Sequence, residues 1–305
     1  MTARIIIILK YRVRAVNARP YDLIFRLQMF TLILSQSQNL FSNQTTMTQQ
    51  PKKNLAKKRI WFAISIVTMI AVWWILSETY FRRNGVIPPP PEVLRQMGVA
   101  ARSGTLWRNV YNTIWKVLVA FCISFVLGFV VAVLAAKREE IHHFVTPIIT
   151  VIRAVPTIGV MLILFMIFRR PETSAIVIAV MMVFPMIYEG LLTSIKETDV
   201  KLLQMAKVHK VPFRRQVSGI YVPQMLPYAF SSSTAGMGMT LKVVIAAEII
   251  GIPVANTLGT AMQRARQAFY NFGLLFMWIL VAIIISFLLE AGIKLLGKAC
   301  MPWKR

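Results

Sequence analysis

The stretch Val117–Ala136, VLVAFCISFVLGFVVAVLAA, runs for twenty residues without a charge. About 20 predominantly apolar residues in a helix cross the hydrocarbon of a bilayer, where every backbone N–H and C=O must be satisfied within the protein. Two more windows have the same character, IWFAISIVTMIAVWWILS at Ile60–Ser77 and FGLLFMWILVAIIISFLL at Phe272–Leu289. Apolar residues make up 57% of the 305, above the roughly 45–50% of soluble domains. The chain therefore reads as an all-α polytopic membrane protein.

Six spans are predicted: Ile60–Glu78, Thr113–Ala136, Phe144–Phe168, Thr173–Leu192, Ala229–Ile250 and Phe272–Leu296. The third is expected to be broken by Pro147 and Pro156. The fifth is the weakest, being rich in Ser and Gly and holding Lys242 and Glu248. No repeat recurs at a fixed period, which disfavours an internally duplicated carrier. Residues 1–46 differ from the rest: they are basic, and their apolar run is too short for a span or a signal sequence. Met47 opens MTQQPKKNLAKKRIWF, a basic leader running into the first span, and is expected to be the natural start. Residues 1–46 are then a poorly ordered or non-native extension, with a transit peptide as the weaker alternative. Residues 47–105 form the leader, first span and outer loop; 106–296 form a five-helix core with a cytoplasmic loop at about 193–224; and 297–305 form a cytoplasmic tail.

The net charge of +24 would point to nucleic acid in a soluble protein, but here the cations lie mostly between the apolar windows, where they set topology. With both termini inside, the cytoplasmic flanks carry 17 Lys and Arg against 9 outside. The orientation is therefore N-in and C-in, and no nucleic-acid partner is expected. Cys122 and Cys300 imply no disulfide framework, and His142, His143 and His209 offer no metal-ligand spacing. The eleven acids are scattered and no Ser/His/Asp arrangement is visible, so the chain is not expected to be an enzyme. GIKLLGK at Gly292–Lys298 matches most of a phosphate loop but is followed by Ala299, where a Ser or Thr should meet the metal, and it ends a membrane helix. No nucleotide site and no cofactor are expected in this chain.

The segment between the fourth and fifth spans carries more. TDVKLLQMAKV reads as a short amphipathic helix that Thr198 or Asp199 can cap, with Leu202, Leu203, Met205 and Ala206 on its apolar side. Pro212 breaks it, and Arg214, Val217, Ile220 and Tyr221 continue at helical spacing to Pro223. Two short helices, apolar-tipped and basic-flanked, would project into water. A mere linker needs only a few residues, so the length and apolar tip favour a docking surface, with Ala206 near its centre.

This segment resembles the cytoplasmic loop of ATP-binding-cassette (ABC) importer permeases, whose pattern is E-A-A-x3-G-x9-I-x-L-P. Gln204, Met205 and Ala206 occupy its first three places, Lys210 that of the glycine, Ile220 that of the isoleucine and Pro223 the end. Gln204 and Lys210 depart from the pattern, and Lys reaches a left-handed turn less cheaply than Gly. GVIPPPPEVLRQM before the second span, VTPIITVIRAVPTIGVMLIL in the third, GMGMTLKVVIAAEIIG in the fifth and the terminal Trp303-Lys304-Arg305 resemble, in order, the nitrate, sulfonate and taurine permeases of that family. The resemblance implies a type I importer fold in a bacterial inner membrane, with a second permease copy around a central pathway. It also implies an extracytoplasmic substrate-binding protein and a separate ATP-binding subunit. That subunit would bind the ATP and dock on a coupling loop formed by Leu203, Gln204, Met205, Ala206, Lys210, Ile220 and Pro223. A stand-alone secondary transporter or channel is the alternative, and it would want acids or histidines in mid-membrane for ion coupling.

The candidate pathway residues are Arg153, Pro156, Gly238, Lys242 and Glu248. A lysine inside a span costs at least about 2.5 kcal/mol unless paired or wetted. Glu248, six residues on, does not share its helix face. Two roles are open to Lys242: pairing with an acid on another helix such as Glu189, or lining a water-filled path for an anion or zwitterion.

Overall fold

The computed structural model describes residues 54–79, 87–168, 170–251, 256–268 and 271–301. The extension 1–46, the proposed start at Met47 and the terminal Trp303-Lys304-Arg305 lie outside the described residues. The regular elements are all helical: α1 (Asn54–Thr79), α2 (Pro90–Arg102), α3 (Thr105–Lys137), α4 (Glu139–Ala154), α5 (Thr157–Phe168), α6 (Pro171–Lys196) and α7 (Val200–Val208). After these come α8 (Phe213–Gln216), a π-helical turn (Val217–Tyr221), α9 (Val222–Ile250), α10 (Leu258–Gln267) and α11 (Phe272–Cys300).

The chain divides into two units, Met1–Ile70 and Ala71–Arg305. The described part of the first is the N-terminal portion of α1, whose side chains from Ile60 to Ile70 are exposed and almost all apolar. Such a surface belongs in lipid. In the second unit α6 lies between α3 and α9, and α9 also packs on α11. The three central helices approach closely where glycines leave room for a side chain of the neighbouring helix. A Cβ at Gly128 would stand 2.9 Å from Ile187 Cγ2, and one at Gly190 would collide with the Ser232 side chain. Close backbone approach at small residues is how membrane helices gain packing energy when lipid is as apolar as the core. Val117, Ile178, Leu241 and Val244 centre one core cluster, and Val183, Ile187 and Leu191 a second.

Among the described residues, five helices are long and apolar enough to cross a membrane: Ile60–Thr79, Thr105–Lys137, Glu172–Lys196, Arg214–Ile250 and Phe272–Cys300. A sixth exists only as α4 and α5 together, bent by 96° where Val155 and Pro156 interrupt the ladder. The expected break at Pro156 is present. Pro147 is a correction, because it sits inside α4 without ending it. Losing one ladder bond costs less in an apolar setting than unpairing a whole turn. The second span begins at Thr105 instead of Thr113, since its first two turns carry Arg108, Asn109 and Asn112 and so escape a hydropathy reading. The fifth is also a correction: the loop's second short helix does not end at Pro223 but runs on as one helix from Arg214 to Ile250. Pro223 falls just after the π turn, where the ladder changes from i+5 to i+4 and a missing N–H disturbs least.

Candidate functional site

Lys116 and Glu248 meet inside the second unit with their side chains only 8% and 2% exposed, Lys116 Nζ donating to Glu248 Oε1 at 3.1 Å. Thr113, one helical turn before Lys116, donates its hydroxyl to Glu248 Oε2 at 3.0 Å. The Gly259 N–H donates to the same oxygen at 3.1 Å, and the Leu258 N–H donates to Thr113 Oγ1 at 3.0 Å. Asn112 Nδ2 donates to the Asn256 carbonyl at 2.8 Å. Three of these hydrogen bonds fasten the first turn of α10 and the segment before it to α3 and α9, and the other two tie α3 to α9. Glycine is required at 259 because a Cβ there would collide with the Glu248 side chain and stand 2.7 Å from the Ile245 carbonyl. The helix start itself is closed by a reciprocal Thr257–Thr260 capping box. A buried pair of this kind is held by its satisfied lone pairs and protons, and removing either partner strands the other charge. Sequence reasoning singled out Glu248 and missed Lys116; the available signal was a threonine and a lysine at i and i+3 where the second span begins.

The remaining pathway candidates fall in different settings. Lys242 is exposed and meets no acid among the described residues. Pairing with Glu189, named under one of the two roles open to Lys242, is not made: Glu189 accepts from Arg153 Nη1 across α4 and α6. Lys242 shares an exposed stripe of α9 with Ser231, Ala235 and Met239, all at helical spacing. Arg153 and Pro156 are exposed at the α4–α5 bend. Gly238 is buried, and a Cβ there would stand 2.7 Å from Glu290 Oε1 of α11.

At the other end of α9 the coupling-loop candidates are brought together. Asp199 caps α7, its Oδ1 accepting from the Lys201 N–H at 2.8 Å, while its own N–H donates to Gln224 Oε1 at 2.8 Å and ties the loop to α9. Met205 is 53% and Val208 78% exposed, Gln204 is exposed, and Leu203, Ile220 and Pro223 are half-buried. Ala206, expected at the centre of a docking face, is 2% exposed and faces into the chain itself. α7 ends in a Schellman turn: the Lys210 N–H bonds the Lys207 carbonyl at 3.0 Å, and the Val211 N–H bonds the Ala206 carbonyl at 2.9 Å. Lys210 holds the left-handed position of that turn with φ 49°, the place where such turns ordinarily carry glycine.

Residues 124–300 match the family described as "Binding-protein-dependent transport system inner membrane component". The chain belongs to that family. It is 23% identical over 244 residues to the taurine transport system permease protein TauC of Escherichia coli, covering 78% of this chain and 88% of that protein. It is also 23% identical over 198 residues to the nitrate import permease protein NrtB of Synechocystis sp., covering 62% of this chain and 70% of that protein. The fold is like that of the MetNI methionine ABC transporter in an inward-facing conformation, with TM-score 0.56 and 18% identity over 64% of this chain and 95% of that one. It is also like a bacterial ABC transporter involved in import of the acidic polysaccharide alginate, with TM-score 0.54 and 14% identity over 81% and 98%. The protein is the multi-pass inner-membrane permease subunit of an ABC importer. The alternative of a stand-alone carrier or channel is set aside. Membership implies an ATP-binding subunit and a substrate-binding protein as partners.

Proposed function

We propose that this permease passes a small solute with an oxyanion head, of the sulfonate or nitrate kind, along the exposed stripe of α9, with Lys242 as the counter-charge. The carrying observation is that Lys242 stands within a membrane span, exposed and with no acid partner among the described residues. Glu189, Glu248 and Glu290 are each engaged elsewhere, with Arg153, Lys116 and Lys294. An unpaired lysine at that depth is tolerable only if water or a mobile anion reaches it. Relatives named for taurine and nitrate favour the same ligand class.

A second copy of the chain would face this stripe and enclose the path, with Arg153 and Pro156 toward its cytoplasmic end. The ATP-binding subunit, which holds the ATP, would dock on α7 and the following turn. There Gln204 and Met205 make contact, Leu203, Ala206, Ile220 and Pro223 support the loop from behind, and Lys210 sets the turn. Lys242→Met is expected to leave assembly with the ATP-binding subunit intact and abolish ATP-driven uptake of an alkanesulfonate into proteoliposomes, with Lys242→Arg recovering part of it. Unchanged uptake by the methionine variant would eliminate this role.

A further inference from the structure

A cavity of about 510 Å³ opens between α2, the start of α3, α10 and the start of α11. Its size is that of a small-molecule pocket, roughly 300–1,000 Å³. On the charge-derived orientation it faces the extracytoplasmic side, at the opposite end of the bundle from α7. Its wall carries two guanidiniums, Arg95 and Arg264, the amides of Gln96, Asn109 and Asn256, the ring of Trp278, and no acid.

Both guanidiniums keep donors in hand. Arg95 uses Nε and Nη2 on Glu92, at 3.0 Å each, and Arg264 uses Nη1 on Asn256 Oδ1 at 3.2 Å. Each has five N–H donors in a fork that matches a planar or tetrahedral oxyanion. Asn109 is 3% exposed, yet its Oδ1 has no partner, and Gln96 Oε1 is likewise unpaired. A buried amide oxygen without a donor is costly and asks for a ligand that brings one. Unused cationic donors beside an unfilled acceptor describe a ligand with an oxyanion at one end and an N–H or O–H at the other.

We propose that this outer cavity is an entry site for the transported solute, a small organic anion whose head lies against Arg95 and Arg264 and whose amine or hydroxyl donates to Asn109. The choice of an anion rests on the cargo proposed above; the cavity itself does not involve Lys242. The test is equilibrium binding to the purified permease–ATPase complex in nanodiscs, without binding protein, using radiolabelled 2-aminoethanesulfonate and its carboxylate analogue 3-aminopropanoate as probes. Saturable binding of at least one probe is expected, weakened tenfold or more by Arg264→Gln and by Asn109→Leu, and not competed by ethanolamine, which lacks the anion. Arg95→Gln, an exposed substitution that leaves the fold alone, should weaken it several-fold. Lys242→Met should keep this binding whatever it does to uptake, so failure of the pathway role and failure of the cavity are separate results. No saturable binding of either probe, binding indifferent to both arginine substitutions, or an effect seen only when binding protein is present would each overturn the proposal.

Discussion

The two ends of α9 treat polar groups in opposite ways. At the outer end the Glu248 carboxylate has Lys116, Thr113 and the Gly259 N–H around it and is almost wholly enclosed. At the inner end the helix rises out of a basic loop whose apolar residues Met205 and Val208 face outward and whose turn is held by a lysine at positive φ. One end is finished within the chain, and the other is left open. Saturation of the Glu248 carboxylate marks a scaffold joint, distinct from the outer cavity beside it whose amides and guanidiniums keep unused bonding capacity. Exposed apolar surface beside a strained turn is what the proposed docking of the ATP-binding subunit would cover.

The sharpest way to break this contrast is to strand a charge at the closed end. Lys116→Met leaves the Glu248 carboxyl buried with no cation beside it, a change worth about 3–5 kcal/mol in comparable buried pairs. We expect a large fall in the yield of folded permease and in its unfolding temperature in detergent. Adding Glu248→Gln should restore most of the loss, because the amide carbonyl still accepts from the Gly259 N–H while the charge is gone. A single variant as stable as the parent would mean that the joint is not a closed one.

That joint also shows where the sequence stops being legible. The spans could be read because twenty uncharged residues in a row are a local property, and so could the bend at Pro156 and the cap at Asp199. Lys116 could not be paired with Glu248 by reading along the chain, since the partners lie 132 positions apart and each alone resembles a snorkelling end-of-span residue. Ala206 was misread for a related reason. The helical period of α7 gives an apolar side but not what covers it, and α7's own ties to the following helix turn Ala206 inward. Lys242 was legible as anomalous but not as unpaired, because Glu189's commitment to Arg153 depends on how α4 meets α6.

At the open end the second prediction separates surface from support. Met205→Glu places a charge on exposed side-chain area, so the permease should fold normally while capture of the ATP-binding subunit and ATP-driven uptake fall by an order of magnitude or more. Ala206→Glu puts the charge into the chain itself, at a cost of a few kcal/mol, and should instead unfold the loop, seen as fast amide exchange over α7. If Met205→Glu left pull-down and transport unchanged, the open end would not be the docking surface.

The smallest effect concerns the turn itself. Lys210 takes φ 49° at the position of the Schellman turn where a residue with a Cβ costs about 1–2 kcal/mol over glycine. The turn's two hydrogen bonds use only backbone atoms of Ala206, Lys207, Lys210 and Val211, so removing the side chain breaks neither. Glycine relieves the Cβ strain but also gives the unfolded loop more freedom, which takes back about 0.5–1 kcal/mol. The net gain for Lys210→Gly should therefore be under about 1 kcal/mol, read as slower amide exchange in α7 and the turn after it, with no change in global unfolding temperature. Lys210→Val sharpens the same measurement from the other side, because a β-branched residue at positive φ is a strong outlier, and it should speed that exchange. If glycine destabilised the turn, or valine left it unchanged, the strain would not lie at this φ, and the inner end would differ from the outer one only in what it exposes.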